Sequence, residues 1–209
     1  MTPNVTLDAF FRAIARGDET KALRLLRASP GLASQALTVG ASRADSTSHF
    51  LRSIERHVYA GDTALHVAAA GYRVAIAREL VALGAHPSAR NRLGAEPLHY
   101  AAVGRPGSPS WNPDAQASTI EYLISAGANP NATDKNGVTP LHRAVRTRSA
   151  AAVRALLEQG ADARAKNRSG STPLHLAVLN TGRGGTGGAE AKEQQAEIIR
   201  LLEKQRAKP

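Results

Sequence analysis

Four of the seven histidines in this 209-residue chain, His66, His99, His142 and His175, recur at intervals of 33, 43 and 33 residues. Imidazole exchanges a proton near neutral pH and is the commonest metal ligand, so a repeated histidine raises acid–base chemistry and a metal centre together. Spacing argues against a shared ion. Zinc needs ligand atoms about 2 Å away, whereas packed helical units lie about 8–10 Å apart, so copies of one position do not converge. The chain also has no cysteine to supply a thiolate. Gly182-Arg183-Gly184-Gly185-Thr186-Gly187 satisfies the dinucleotide pattern G-x-G-x-x-G. That pattern cradles a pyrophosphate only directly after a strand and at the start of a helix. Here it follows helical text containing Leu174, Leu176 and Ala177, and Gly188 prolongs it, so it reads as a linker. No Lys-Ser or Lys-Thr follows, as a phosphate-binding loop requires. Nucleophile motifs are absent and no carboxylate pair is placed for acid–base work, so no enzymatic activity, cofactor or metal is expected.

The histidines belong to a longer repeated phrase. Thr139-Pro140-Leu141-His142 returns as Thr172-Pro173-Leu174-His175, and in altered form as Thr63-Ala64-Leu65-His66 and Glu96-Pro97-Leu98-His99. Gly61, Gly94, Gly137 and Gly170 each stand two places before a copy. A second apolar segment follows each of the first three, such as Leu156-Leu157-Glu158-Gln159-Gly160-Ala161. A period near 33 marks stacked units that bury their apolar faces against one another. The phrase and its spacing resemble the ankyrin repeat, over roughly residues 61–180 and more loosely the whole chain. The resemblance implies an all-α solenoid of helix-turn-helix units with short β-hairpin turns, acting as a recognition surface. It further implies that each histidine bonds backbone groups of neighbouring turns.

The physics of one unit supports this. Thr139 is a good N-cap, because its oxygen can accept an orphan amide of the first turn. Pro140 sits at the first helical position, where its missing N–H costs nothing. Leu141, Ala144 and Val145 share one helical stripe and face the core, and Leu174 is the counterpart of Leu141. Small alanines let helices lie close. Gly160 ends the second helix in a left-handed conformation, and Asn136-Gly137 marks a tight reversal.

Five repeats are expected, because Ala13–Leu26 carries helix-turn-helix text without the capping phrase, and Ile198, Ile199, Leu201 and Leu202 form the apolar side of a last helix. Three insertions break the period, around 29–60, 104–117 and 181–191, the last two between the helices of a unit. Residues 49–57 in the first, with Phe50, Leu51, Ile54 and Val58, read as a short accessory helix. The organisation is thus a capping repeat with a long insertion over 1–60, core repeats over 61–180, and a Gly-rich insertion with a capping helix over 181–209, all one domain.

The formal charge is +10, and arginine supplies 21 of the 27 positive side chains. Residues 137–180 alone carry seven Lys and Arg against Glu158 and Asp162. Such a balance favours acidic partners, and an ordinary solvated surface is the competing reading. Aligning the repeats on the turn glycine sets Arg92, Lys135 and Arg168 at one position, and Arg90, Thr133 and Lys166 two residues earlier. By the resemblance, turn tips and the exposed side of the first helix form a concave binding face, which adds Tyr59 and Arg146. Trp111, on a Pro/Gly-rich projection, either anchors a partner or folds back over helix ends. The expected function is a protein-binding module with a basic concave face, taking a partner with an acidic surface. Nucleic acid or another polyanion is the alternative. No signal peptide or membrane-length apolar run is visible, so a cytoplasmic monomer without membrane contact is expected.

Overall fold

In the computed structural model, which describes residues 3–42, 44–108, 111–179 and 189–206, the Thr-Pro phrases open short helices. Thr139 and Thr172 are extended, their side chains accept the amides of His142 and His175, and Pro140 and Pro173 enter the first turn. The helices come in pairs: α1 Pro3–Arg16 with α2 Glu19–Ala28, α3 Ala64–Ala70 with α4 Val74–Ala82, and α5 Pro97–Ala101 with α6 Pro113–Ser125. Then follow α7 Pro140–Arg146 with α8 Ala150–Glu158, and α9 Pro173–Val178 with α10 Ala189–Arg206. First members stack on first members in chain order and second members on second, giving an all-α solenoid of five units.

One apolar cluster runs between the two rows from Leu7 to Leu202. The motif leucines Leu65, Leu98 and Leu141 are fully buried in it. Ala68, Ala69, Ala101, Ala102 and Ala144 are buried too, and their small volume lets the rows close up. Leu174 departs from its copies: it is only partly buried, because α9 ends its row and no later first helix among the described residues covers it.

The turns are built differently from a simple Asn-Gly reversal. Gly137 is left-handed (φ 70°), but Asn136 is not, so the two consecutive left-handed residues of that hairpin type are missing. Asp134, three places before the glycine, organises the turn instead. Its Oδ1 accepts the amides of Asn136 (2.8 Å) and Val138 (3.1 Å). Asn91 and Asn167 do the same for Leu93 and Ala95, and for Ser169 and Ser171. Such side-chain acceptors substitute for a backbone turn bond. The turns then join side by side, Arg92 N donating to Ala60 O (2.7 Å), Lys135 N to Leu93 O (3.0 Å) and Arg168 N to Asn136 O (3.0 Å).

Residues 49–57 are not a helix. Phe50–Leu51 (β1) and Arg56–His57 (β2) pair antiparallel, with Phe50 opposite His57 and Leu51 opposite Arg56. Between them Arg52–Ile54 make a single 3-10 turn, and Glu55 is left-handed (φ 44°), which no α-helix tolerates. Apolar spacing misled here because Leu51, Ile54 and Val58 are all buried, but by a reversal that packs them on the repeats. Ile54 lies against Gly71, where an added Cβ would approach it to 3.3 Å. The second insertion leads into α6 and the third precedes α10. The glycine run 182–187 lies outside the described residues.

Candidate functional site

Each repeated histidine stands at the third position of its helix, and His66, His99 and His142 are locked there. In α7 the Thr139 amide donates to His142 Nδ1 (3.3 Å), and Thr139 Oγ1 lies 2.8 Å from the same nitrogen. Histidine thereby fills the place of the usual Glu or Gln in a capping box. A backbone N–H aimed at Nδ1 makes that nitrogen an acceptor, so the proton sits on Nε2. Nε2 then donates to the next repeat: His66 to Ala95 O (3.1 Å), His99 to Val138 O (3.0 Å) and His142 to Ser171 O (3.0 Å). His175 has no following turn among the described residues and is exposed. Burial lowers the pKa of His66 and His142, and burial with the nearby Arg143 charge brings His99 down to about 4. These rings are neutral bridges between repeats. Among the described residues, no group of His, Cys, Asp and Glu is disposed to hold a metal ion.

The residues expected on the binding face are distributed unevenly. Arg92, Lys135 and Arg168 do occupy equivalent tips, but they are not equally free. The Arg92 guanidinium donates to Ala41 O (2.7 Å) and lies 5.1 Å from the centre of the Tyr59 ring, tied to the first insertion. Arg90 pairs with Glu96 (3.0 Å), whose own pKa burial raises while Arg90 pulls it back. Thr133, Lys135, Lys166 and Arg168 are exposed, and the three cationic side chains have no partner among the described residues. Arg146 is exposed on α7, and Tyr59 is partly buried across from it. Trp111 folds back: its indole N–H donates to Gln116 Oε1 (2.9 Å). Gln116, fully buried, also accepts from Ser149 Oγ (2.8 Å) and donates to Ala101 O (2.8 Å), so the indole joins a bonded core position.

Tyr59 and Arg146 meet across a cleft of about 770 Å³. One wall is the β1–β2 hairpin, through Glu55, Arg56 and His57. The other is formed by α5, the residues just after it and α7, through Tyr100, Val103, Arg143 and Arg146. These four stand one and four residues after His99 and His142, and of them Tyr100 is itself buried in the core cluster. Arg146 was already expected on the face, and alignment on the histidine would have added Tyr100, Val103 and Arg143; Arg56 carried no such signal, because it lies in an insertion with no counterpart in other repeats. Ion pairs frame the cleft: Arg105 with Glu55 (3.1 Å) and Arg143 with Asp134 (3.0 Å). Burial works to raise Asp134, but the Arg143 bond and two amides outweigh it and lower its pKa. The Tyr100 hydroxyl donates to the buried Asp62 (2.9 Å), and burial with that carboxylate raises its pKa. Tyr72 donates to Val103 O, and burial pushes its pKa up to about 12.

Comparison with protein families bears on what such a stack is. A model of ankyrin repeats in three copies matches residues 112–207, and a single ankyrin-repeat model matches residues 60–92. No curated protein matches the chain in sequence.

Proposed function

The chain belongs to the ankyrin-repeat family, generally protein–protein interaction modules, and on that premise we propose that it is a non-enzymatic module whose concave face of turns and first helices holds an acidic protein partner. The observation that carries this reading is a set of exposed cations without partners among the described residues, Lys135, Lys166 and Arg168 on the turns, together with exposed Arg146 on α7. Exposed, unpaired charge of one sign attracts the opposite sign and raises association rates. The continuous apolar cluster supports one domain from capping pair to last helix, acting as a monomer in the cytoplasm. Among the described residues no helix is long and apolar enough to cross a membrane.

The test reverses Lys135, Lys166 and Arg168 together to glutamate. Surface changes away from caps and core stay within about 0.5 kcal/mol each, so the variant should melt like the parent. Its affinity for the protein captured by the parent should fall at least tenfold, or about 1.4 kcal/mol. Undiminished capture by a folded variant would move the site elsewhere, to the edge carrying Trp111. A steep linear fall of log affinity with log salt would transfer the face to nucleic acid. The chain's low aromatic content, 4%, argues against base stacking.

A further inference from the structure

We propose that the cleft between the β1–β2 hairpin and helices α5 and α7 is an anion pocket that takes a phosphorylated side chain of the partner protein. The proposal deepens the reading of the basic face by naming what one part of it holds. It begins from Arg56. This side chain is partly buried, its Nε is sealed from solvent, and that nitrogen has no hydrogen-bond partner. The charged groups that act on it are Arg105 and Arg143, both of like sign, and two neutral tyrosines, Tyr72 and Tyr100, stand near it. Neither tyrosine relieves it: the Tyr72 hydroxyl is turned to Val103 O and the Tyr100 hydroxyl to Asp62, and neither accepts from Arg56 Nε.

The carboxylates at the cleft are also committed. Glu55 is held by Arg105 and Asp134 by Arg143. Removing those pairs from the balance leaves Arg56 and Arg146 uncompensated on opposite walls. A guanidinium half withdrawn from water, with one N–H buried and unbonded, is unfavourable unless an acceptor or anion meets it. Two unpaired cations lining one cleft call for about two negative charges. A phosphomonoester carries about −1.5 to −2 at neutral pH, whereas a carboxylate carries one. The planar fork of arginine also fits phosphate oxygens in pairs.

Size and lining argue that the phosphate arrives on a carrier. The cleft of about 770 Å³ falls in the range of roughly 300–1,000 Å³ typical of ligand pockets, far larger than a bare phosphate needs. Leu93 and Val103 supply apolar floor beside the Tyr100 ring, suited to the stem or ring of a phosphorylated residue.

The experiment titrates the full chain with phenyl phosphate, benzoate and inorganic phosphate, followed by backbone and arginine side-chain NMR. Saturable shifts should concentrate on residues 54–58, 100–103 and 143–147 for phenyl phosphate, with benzoate and inorganic phosphate at least tenfold weaker. Arg56→Gln should weaken phenyl phosphate at least tenfold, and Arg146→Gln, at an exposed position that does not threaten folding, severalfold. The triple reversal of Lys135, Lys166 and Arg168 lies outside the cleft lining and should weaken this binding far less than Arg56→Gln does, so the pocket and the wider face can fail separately. Equal binding of benzoate would overturn the dianion. Equal binding of inorganic phosphate would overturn the carried side chain. Shifts away from the cleft, or full affinity in folded Arg56→Gln and Arg146→Gln variants, would overturn the pocket.

Discussion

Acid should dismantle the solenoid through its histidines. His99 is buried, takes the Glu96 amide on Nδ1 (3.1 Å) and gives its Nε2 proton to Val138 O (3.0 Å). A second proton has to enter at Nδ1, against a backbone donor that cannot turn away. The folded pKa of about 4 stands well below the ordinary value of about 6.5. A depressed folded pKa contributes stability that is complete above about pH 6.5 and is lost as pH falls toward 4, because the unfolded chain binds the proton first. At about 1.36 kcal/mol per unit, His99 alone removes about 3 kcal/mol across that window. His66 and His142 are shifted in the same direction and add to the loss. Glu96, with its pKa raised, opposes them, since acid relieves the strain of holding its charge. Asp134 is lowered, so its contribution disappears only below the usual carboxylate range. A domain is typically stable by about 5–15 kcal/mol, so the histidines are decisive.

Urea unfolding followed by circular dichroism at steps from pH 8 to pH 4 measures this. Stability should be level above about pH 7 and fall by at least about 3 kcal/mol by pH 4. Self-repulsion of a chain with formal charge +10 also grows in acid. His99→Gln separates the two, because it removes the imidazole and leaves the remaining charge pattern. Its curve should lie lower at pH 8 and slope less between pH 6.5 and 4. Equal slopes for parent and variant, or a parent whose stability does not change over that window, would refute the bridge.

Two further outcomes test the stack. Leu141→Ala should cost about 2–5 kcal/mol in urea melts, whereas Leu174→Ala, at a partly buried site, should cost distinctly less; equal losses would contradict the end of the row at α9. Gly137→Ala places a Cβ 2.9 Å from Arg168 N at φ 70°, so it should destabilise by more than the roughly 1 kcal/mol typical of a point change, with hydrogen exchange of the Arg168 amide accelerated most.

What the sequence disclosed, and what it withheld, follows from periodicity. Thr139, Pro140, Leu141 and His142 recur because every unit meets the same neighbours, so cap, core and bridge could be read from any one copy. The Asx acceptors Asn91, Asp134 and Asn167 recur as well, but the neighbouring glycine is the louder turn signal and hid them. Arg92 shows where equivalence ends. Its backbone keeps the ladder bond of Lys135 and Arg168, while its side chain is taken by Ala41 and Tyr59 of the first insertion. The β1–β2 hairpin is the extreme case. It has no copy elsewhere, its buried leucine, isoleucine and valine mimic a helix face, and its reversal rests on a left-handed Glu55 that no propensity favours. A repeat sequence therefore speaks most clearly about what all units share. The cleft at Arg56 is specific to this chain because it lies where the repeat pattern is broken.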